Sequence, residues 1–183
     1  MNGWNAHERL LIVAGTFTGY TLLFVFNDWL FGSLTFGEEV NWIYLPSGLR
    51  LAFVLLFGAC GAVGISLASM LIAGMVYFQN DLMAAVVTGV ISGLAPYLAR
   101  HVFLTRLGVD RDLQQLTSGK LLGISLIFAV TSAVMHQLFF TWRGYTVNFV
   151  ESSTVMALGD LAGTIIMLYI AKFALSRIRL QRR

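Results

Sequence analysis

Four ionisable side chains stand within, or at the end of, long apolar runs of this sequence. They are Arg50, His136, Asp160 and Asp28. Arg50 and Asp160 carry opposite charges, and because neither charge is tolerated alone in hydrocarbon, we predict that they form an ion pair. His136 can titrate near neutral pH, which suits a proton-sensing or ligand-sensing role. These residue types predict a site for binding or charge sensing, centred on Arg50, His136 and Asp160 with Asp28 second, and no catalytic residue.

Two interpretations of this set stay open at the level of sequence. In the first, the ion pair is a structural clamp that holds two helices in register, and His136 is only hydrogen-bonded between helices. In the second, Arg50, His136, Asp160 and Asp28 line a cavity that is open to the outside and binds a small ligand or senses protons. The second interpretation predicts that the occupant alters the Arg50–Asp160 pair.

The composition determines what kind of element positions these residues. The chain has 183 residues, of which 57% are hydrophobic and 11% charged, and its mean hydropathy is +0.77. A soluble domain is roughly 45–50% apolar and about 25% charged, so we predict an integral membrane protein. The single Cys60 excludes an intramolecular disulfide framework. His7, His101 and His136 are predicted to lie too far apart to share a metal or haem, so we expect neither metal nor cofactor.

Apolar runs account for nearly the whole chain, which predicts one all-α membrane domain over residues 1–183. Each helix that crosses a membrane needs about 20 mostly apolar residues. Six runs are predicted to cross as helices: 10–31, 43–57, 62–78, 82–99, 121–140 and 153–171. The second is short and contains Arg50, and an uncharged turn of Gly58, Cys60 and Gly61 follows it. The first exceeds the apolar core of a signal peptide and is expected to be retained.

The distribution of Lys and Arg predicts the orientation. With six spans, ten basic residues fall on the side that holds both termini: Arg9, Arg100, Arg106, Arg111, Lys120, Lys172, Arg177, Arg179, Arg182 and Arg183. Only Arg143 falls outside the spans on the other side. By the positive-inside rule both termini are cytoplasmic, in a multi-pass protein of a bacterial inner membrane. These basic residues are topology signals, and no nucleic-acid partner is expected.

The candidate residues converge in predicted depth. At about 1.5 Å per residue, Arg50 and Asp160 lie ~10 Å below the outer face and His136 lies ~5–6 Å below it. Asn27 and Asp28 close the first run at the same level. Four separate helices therefore deliver polar groups to one layer in the outer half of the membrane.

Two short motifs carry a family resemblance. The first is W-x-x-x-P-S-G-L-R, with Trp42, Pro46 and Gly48, and the second is G-D-x-x-G, with Gly159 and Gly163 on either side of the aspartate. Pro is tolerated in the first turn of a helix, and Trp42 with Tyr44 suits an aromatic belt at the membrane surface. Together these motifs resemble the membrane-associated sensor domains of the first MASE class, over roughly residues 42–168.

The resemblance implies a sensory role. Such domains are input modules of bacterial histidine kinases and cyclic-di-nucleotide enzymes, and their membrane region is generally longer. A stand-alone, shortened module without an output domain is therefore expected to signal to a separate membrane or cytoplasmic protein, a kinase or cyclase. The expected contacts are the 100–120 connection, where Leu107, Leu113 and Leu116 suit a short interfacial helix, and the basic tail 172–183.

Three further possibilities follow from the sequence. A six-helix protein of 20.2 kDa is also similar to the substrate-binding subunits of energy-coupling-factor importers, whose partner is a transport ATPase. An intramembrane protease of the rhomboid type would use Ser92 and His136, but Ser92 is predicted to lie ~15 Å deep, well below the histidine. Glycines four apart, such as Gly15 and Gly19, suit close helix packing and permit a homo-oligomer.

Overall fold

The computed structural model describes residues 4–37, 40–106 and 117–181, with side chains as far as Ile170. The interfacial helix predicted around Leu107, Leu113 and Leu116 lies outside these residues. Within them the fold is a bundle of six helices with one small hairpin. The helices are α1 (Ala6–Phe31), α2 (Leu45–Phe57), α3 (Ala59–Ile72), α4 (Leu82–Arg106), α5 (Ser118–Arg143) and α6 (Phe149–Gln181). The prediction of an all-α helix bundle is confirmed for these residues.

The hairpin joins α1 to α2. A 3₁₀ turn (Gly32–Leu34) follows α1, and strand β1 (Thr35–Gly37) pairs antiparallel with strand β2 (Val40–Asn41). This hairpin is the one departure from an all-helical fold in the described part of the chain. It ends beside the face of α6 that carries the candidate aspartate.

Local sequence signals set several helix ends. Asn5 caps α1, since its side chain accepts from the Glu8 amide while the Glu8 carboxylate accepts from the Asn5 amide. Gly144, with φ +78°, ends α5 in the left-handed conformation that favours glycine. Gly58, with φ +58°, makes the whole α2–α3 turn. The wider turn predicted through Cys60 and Gly61 is wrong, because α3 already begins at Ala59.

Five helices are long and apolar enough to cross a membrane, and α2 is not among them. Its 13 residues rise ~20 Å, short of the ~30 Å hydrocarbon core. The prediction of six full spans is therefore supported for five. Most helices also exceed their predicted limits, and α6 continues to Gln181 as the sequence predicted for its tail.

The short helix α2 is the centre of the bundle. It packs against each of the other five helices, whereas α1 packs mainly against α3 and α2. Eight of its 13 residues are buried. This position explains why the shortest apolar run can contain a charged side chain, because protein surrounds Arg50 on all sides and it does not meet lipid.

Several glycines allow neighbouring helices to pack closely, as the sequence predicts. A Cβ added to Gly89 would lie 2.7 Å from Met70 Cβ, and one added to Gly64 would lie 2.7 Å from the Val13 carbonyl oxygen. These glycines bring α3 against α4 and α1. Gly15 differs, since nothing lies within 4 Å of its added Cβ. The packing role expected of the Gly15–Gly19 pair therefore holds for Gly19 alone, which faces the Phe53 ring.

Candidate functional site

The structure forms an ion pair between α2 and α6. Arg50 Nη2 donates to Asp160 Oδ1 at 2.9 Å, and each side chain is 2% exposed. The guanidinium carbon lies 5.3 Å from the centroid of the Tyr44 ring and 5.4 Å from that of Phe128. Asp160 and these two aromatic rings surround the cation, and the rings lie at distances suited to cation–π attraction.

Hydrogen bonds join the start of α2 to α1 and to α6. The Leu45 amide donates to Asn27 Oδ1 on α1 at 2.8 Å, and the Tyr44 amide donates to the Gly159 carbonyl on α6 at 3.2 Å. The Ser47 hydroxyl lies 2.7 Å from the Asp160 carbonyl oxygen. These bonds satisfy amides that a helix start otherwise leaves unpaired. Pro46 occupies the first turn of α2 as predicted.

Three motif glycines make this approach possible. Cβ atoms added to Gly159 and Gly163 would overlap the carbonyl oxygens of Asn41 and Tyr44 respectively. On the opposite surface, a Cβ added to Gly48 would lie 2.5 Å from Met167 Cβ. The backbone of the 41–45 segment therefore lies directly on α6. The spacing G-D-x-x-G places two contact points beside the aspartate that pairs with Arg50.

His136 lies in the same buried layer and bonds to Ser92. Its Nε2 is 3.3 Å from the Ser92 hydroxyl, and its Nδ1 is 2.8 Å from the Ser132 carbonyl oxygen. The predicted difference in depth between Ser92 and His136 is wrong. Helix α5 continues to Arg143, three residues past the predicted end, which places His136 deeper than the count from Phe140 implied.

A small polar cavity lies between these groups. Its volume is ≈ 20 Å³, which is room for about one water molecule. The lining residues are Tyr20, Asn41, Tyr44, Arg50, Ser69, Ile72, Tyr77, Ser92, His136 and Met156. A peptide substrate does not fit such a space, so the Ser92–His136 contact does not make a protease site. Among the described residues no group of acidic, histidine or cysteine side chains suits a metal ion.

The structure differs from the positions predicted for Asp28 and for Tyr44. Asp28 is exposed on α1, away from the cavity, and its neighbour Asn27 is the buried residue that bonds to α2. One residue turns a helix by about 100°, so Asn27 and Asp28 point in different directions from α1, and only Asn27 faces the core. Trp42 is exposed as predicted, but the Tyr44 hydroxyl turns inward and lies 2.9 Å from that of Tyr20.

Sequence reasoning missed two polar partners around the ion pair and gave a third another role. Tyr20 and Ser47 have no predicted role, whereas Ser92 is predicted only as the nucleophile of a protease. All three are buried and hydrogen-bonded, on three different helices. Hydroxyl residues are common in apolar helices, so their type alone does not distinguish them. The signal that could have found Ser47 is its place within the Pro46–Gly48 motif, one turn before Arg50.

A second polar cluster joins two interhelical turns at the Asp81 end of the bundle. Asp81 accepts hydrogen bonds from the Ala84 amide at 3.0 Å and the Tyr145 hydroxyl at 2.8 Å, and it pairs with Arg143. The carboxylate thereby caps α4 and links it to the α5–α6 turn. The positive-inside prediction places this end of the bundle outside the cell.

The Asp81 cluster predicts a pH dependence of stability. The Ala84 amide, then the Tyr145 hydroxyl and Arg143, lower the pKa of Asp81 from its ordinary value of 3.8. A carboxylate with a lowered folded-state pKa stabilises the fold above its unfolded value and loses that contribution as pH falls through the folded one. We expect the melting temperature of the wild type to fall more steeply than that of Asp81→Asn below about pH 4. Parallel curves would contradict this assignment.

Comparison with known proteins identifies the family. The family model for MASE1 matches residues 11–182, nearly the whole chain. No curated protein and no solved structure matches the chain significantly. The match confirms the resemblance predicted from the Trp42–Pro46–Gly48 and Gly159–Gly163 motifs and extends it in both directions. This chain belongs to the MASE1 family of membrane-associated sensor domains.

Proposed function

We propose that this membrane sensory domain detects its signal at the Arg50–Asp160 layer and transmits it along α6 to a separate protein. One observation carries the proposal: α6 is continuous from Asp160 to Gln181. The 21 residues that follow Asp160 rise ~32 Å, about the thickness of the hydrocarbon core, so we expect the helix that holds the acidic partner of the buried pair to reach the far face of the membrane as well. A change at the pair therefore acts on a rigid element that ends at that face.

The buried pair suits a two-state element. Inside a bundle, the attraction between the charges and the cost of their desolvation nearly balance, so a modest change in either one favours a different arrangement. A proton or ligand moves such an equilibrium only by its difference in affinity for the two states. The input is therefore expected at groups that touch the pair, of which His136 and the cavity hydroxyls are the nearest candidates.

The orientation and partner belong to this proposal. Both termini are cytoplasmic in a bacterial inner membrane, and the end of α6, whose sequence contains Lys172, Arg177 and Arg179, is expected to bind a signalling kinase or cyclase. A homo-oligomer is compatible with this arrangement. The family match supports a sensory domain and gives no support to an importer subunit. MASE1 is a family of sensor domains and is not catalytic.

Purification of the full chain in mild detergent, with mass spectrometry of co-purifying proteins, tests the partner. We expect a kinase or a cyclic-di-nucleotide enzyme to co-purify with the wild type. We expect the triple variant Lys172→Gln, Arg177→Gln, Arg179→Gln to lose most of this co-purifying partner. Asp28→Asn is the control, because it also neutralises an exposed charge but lies on α1, away from both the ion pair and the basic tail. Recovery of ATPase subunits with a transmembrane coupling protein would overturn the sensory proposal in favour of uptake.

A further inference from the structure

The central cavity is a meeting point of the entire bundle. Each of the six helices contributes a lining side chain: Tyr20, Arg50, Ser69, Ser92, His136 and Met156, in chain order. Its hydroxyl and imidazole groups can both donate and accept hydrogen bonds. The local charge is balanced, because Arg50 pairs with Asp160. Such a lining suits a neutral, hydrogen-bonding occupant better than an ion.

Long hydrogen bonds across the cavity indicate space for an additional partner. The hydroxyls of Tyr20 and Ser69 are 3.4 Å apart, and Ser92 is 3.3 Å from the His136 ring nitrogen. Hydroxyl hydrogen bonds are usually about 2.7–2.8 Å between oxygens. An occupant of ≈ 20 Å³ can bond to these groups at shorter distances, as buried waters typically do with about three partners.

A larger groove lies nearby at the Asp81 end of the bundle. Its volume is ≈ 640 Å³, and it is lined by Tyr77, Phe78, Gln79, Asn80, Asp81, Arg143 and Tyr145. Tyr77 lines both this groove and the central cavity, and it is the one residue common to the two linings. Tyr77 is therefore the residue at which the open groove and the small central cavity adjoin.

The backbone beneath Tyr77 is unusual. The turn that follows α3, Ala73–Tyr77, is a π-helix, and the chain leaves helical geometry at Phe78. Single π turns are rare and occur frequently at functional sites. The Tyr77 ring packs edge-on against Phe24, with centroids 6.2 Å apart, and the residue is only partly buried. Tyr77 therefore lies at the end of an irregular turn, at the boundary of the two spaces.

We propose that the central cavity is a binding site for water, or for a neutral hydrogen-bonding solute of the same size, which enters from the groove past the ring of Tyr77. This inference rests on the proposed function, because it names the ligand class and route of the same site. An occupant bonded to His136 and Ser92 changes the polar surroundings of the ion pair. Tyr77 then controls how fast the input reaches the sensing layer.

Hydrogen peroxide provides a probe of suitable size and charge, because it is small and neutral, donates and accepts hydrogen bonds, and oxidises a thiol to sulfenic acid while it is reduced to water. The test uses the full chain in micelles with Cys60→Ala, which removes the native thiol, and Ser69→Cys, which places one thiol in the cavity wall. Hydrogen peroxide is applied for a set time and then removed, and the remaining thiol is counted after unfolding. Ser125→Cys is the matched control, since Ser125 is 1% exposed and lines neither space.

We expect hydrogen peroxide to oxidise the thiol introduced at position 69 and to leave the thiol introduced at position 125 intact. Tyr77→Ala should speed the reaction at position 69 by at least about tenfold, whereas Tyr77→Phe, which keeps the ring, should leave it unchanged. Equal resistance at both positions, or a rate at position 69 that Tyr77→Ala does not alter, would overturn the inference. Thermal melts establish that each variant is folded. The partner experiment does not depend on this reaction, so either proposal can fail without the other.

Discussion

Gly163→Ala is expected to destabilise this protein by more than about 3 kcal/mol, the upper end of the cost of overpacking a core. The added methyl group would overlap the Tyr44 carbonyl oxygen, which is backbone and cannot rotate away. Helix α6 would have to move off the 41–45 segment, and the bond from the Tyr44 amide to the Gly159 carbonyl would be lost with it. Thermal or denaturant unfolding of the purified protein in detergent measures this loss.

A second glycine provides the control for this prediction. Gly123 lies inside α5, and nothing is within 4 Å of its added Cβ. Gly123→Ala should therefore be neutral or stabilise the helix by up to about 1 kcal/mol, as expected from helix propensity alone. If Gly163→Ala unfolds at the same temperature as Gly123→Ala, the close approach of α6 to the start of α2 is contradicted.

Asp160→Val is expected to cost about 3–5 kcal/mol, because it leaves the Arg50 guanidinium buried without its carboxylate. Arg50→Met should cost a similar amount, since Asp160 then becomes the uncompensated charge. The double variant Arg50→Met, Asp160→Val should recover most of the loss, because well-packed apolar side chains often replace a buried ion pair at little cost. Unfolding measurements on all four proteins give the coupling free energy directly.

The double variant also separates stability from signalling. If the pair is the sensing element, the folded double variant should still bind its partner and no longer respond to the input. Additive effects of the two single substitutions, with no recovery in the double variant, would contradict a direct interaction between Arg50 and Asp160.

The sequence predicts the architecture well because the membrane restricts the possible folds. Every backbone polar group in hydrocarbon must be satisfied internally, so apolar runs of this length become helices. The ion pair was predictable for the same reason, since two isolated opposite charges in apolar runs have few other partners. The glycines beside Asp160 were predictable as contact points from their spacing, although their contact with backbone rather than with another helix was not.

What the sequence did not predict depends on rotation and tilt. Asn27 and Asp28 are adjacent, and only packing decides that the first is buried and the second exposed. Counting residues from the membrane face separated Ser92 from His136, because the count ignored the extension of α5 to Arg143. The central position of α2 was likewise not predicted, because a short apolar run indicates an uncertain membrane span and does not by itself indicate a buried core helix.

The Arg50–Asp160 pair is expected to set the position of α6, and the distance between α4 and α6 at the far end of the bundle reports that position. Spin labels at Thr105 and Ile170, both exposed, give this distance by pulsed electron resonance in a Cys60→Ala background. Ser47→Ala, which removes another α2–α6 bond without changing charge, is the matched control. We predict that the folded double variant Arg50→Met, Asp160→Val shifts the distribution by about 1–2 Å or adds a second population, while Ser47→Ala does not. Superimposable distributions for the wild type and the double variant would contradict this role.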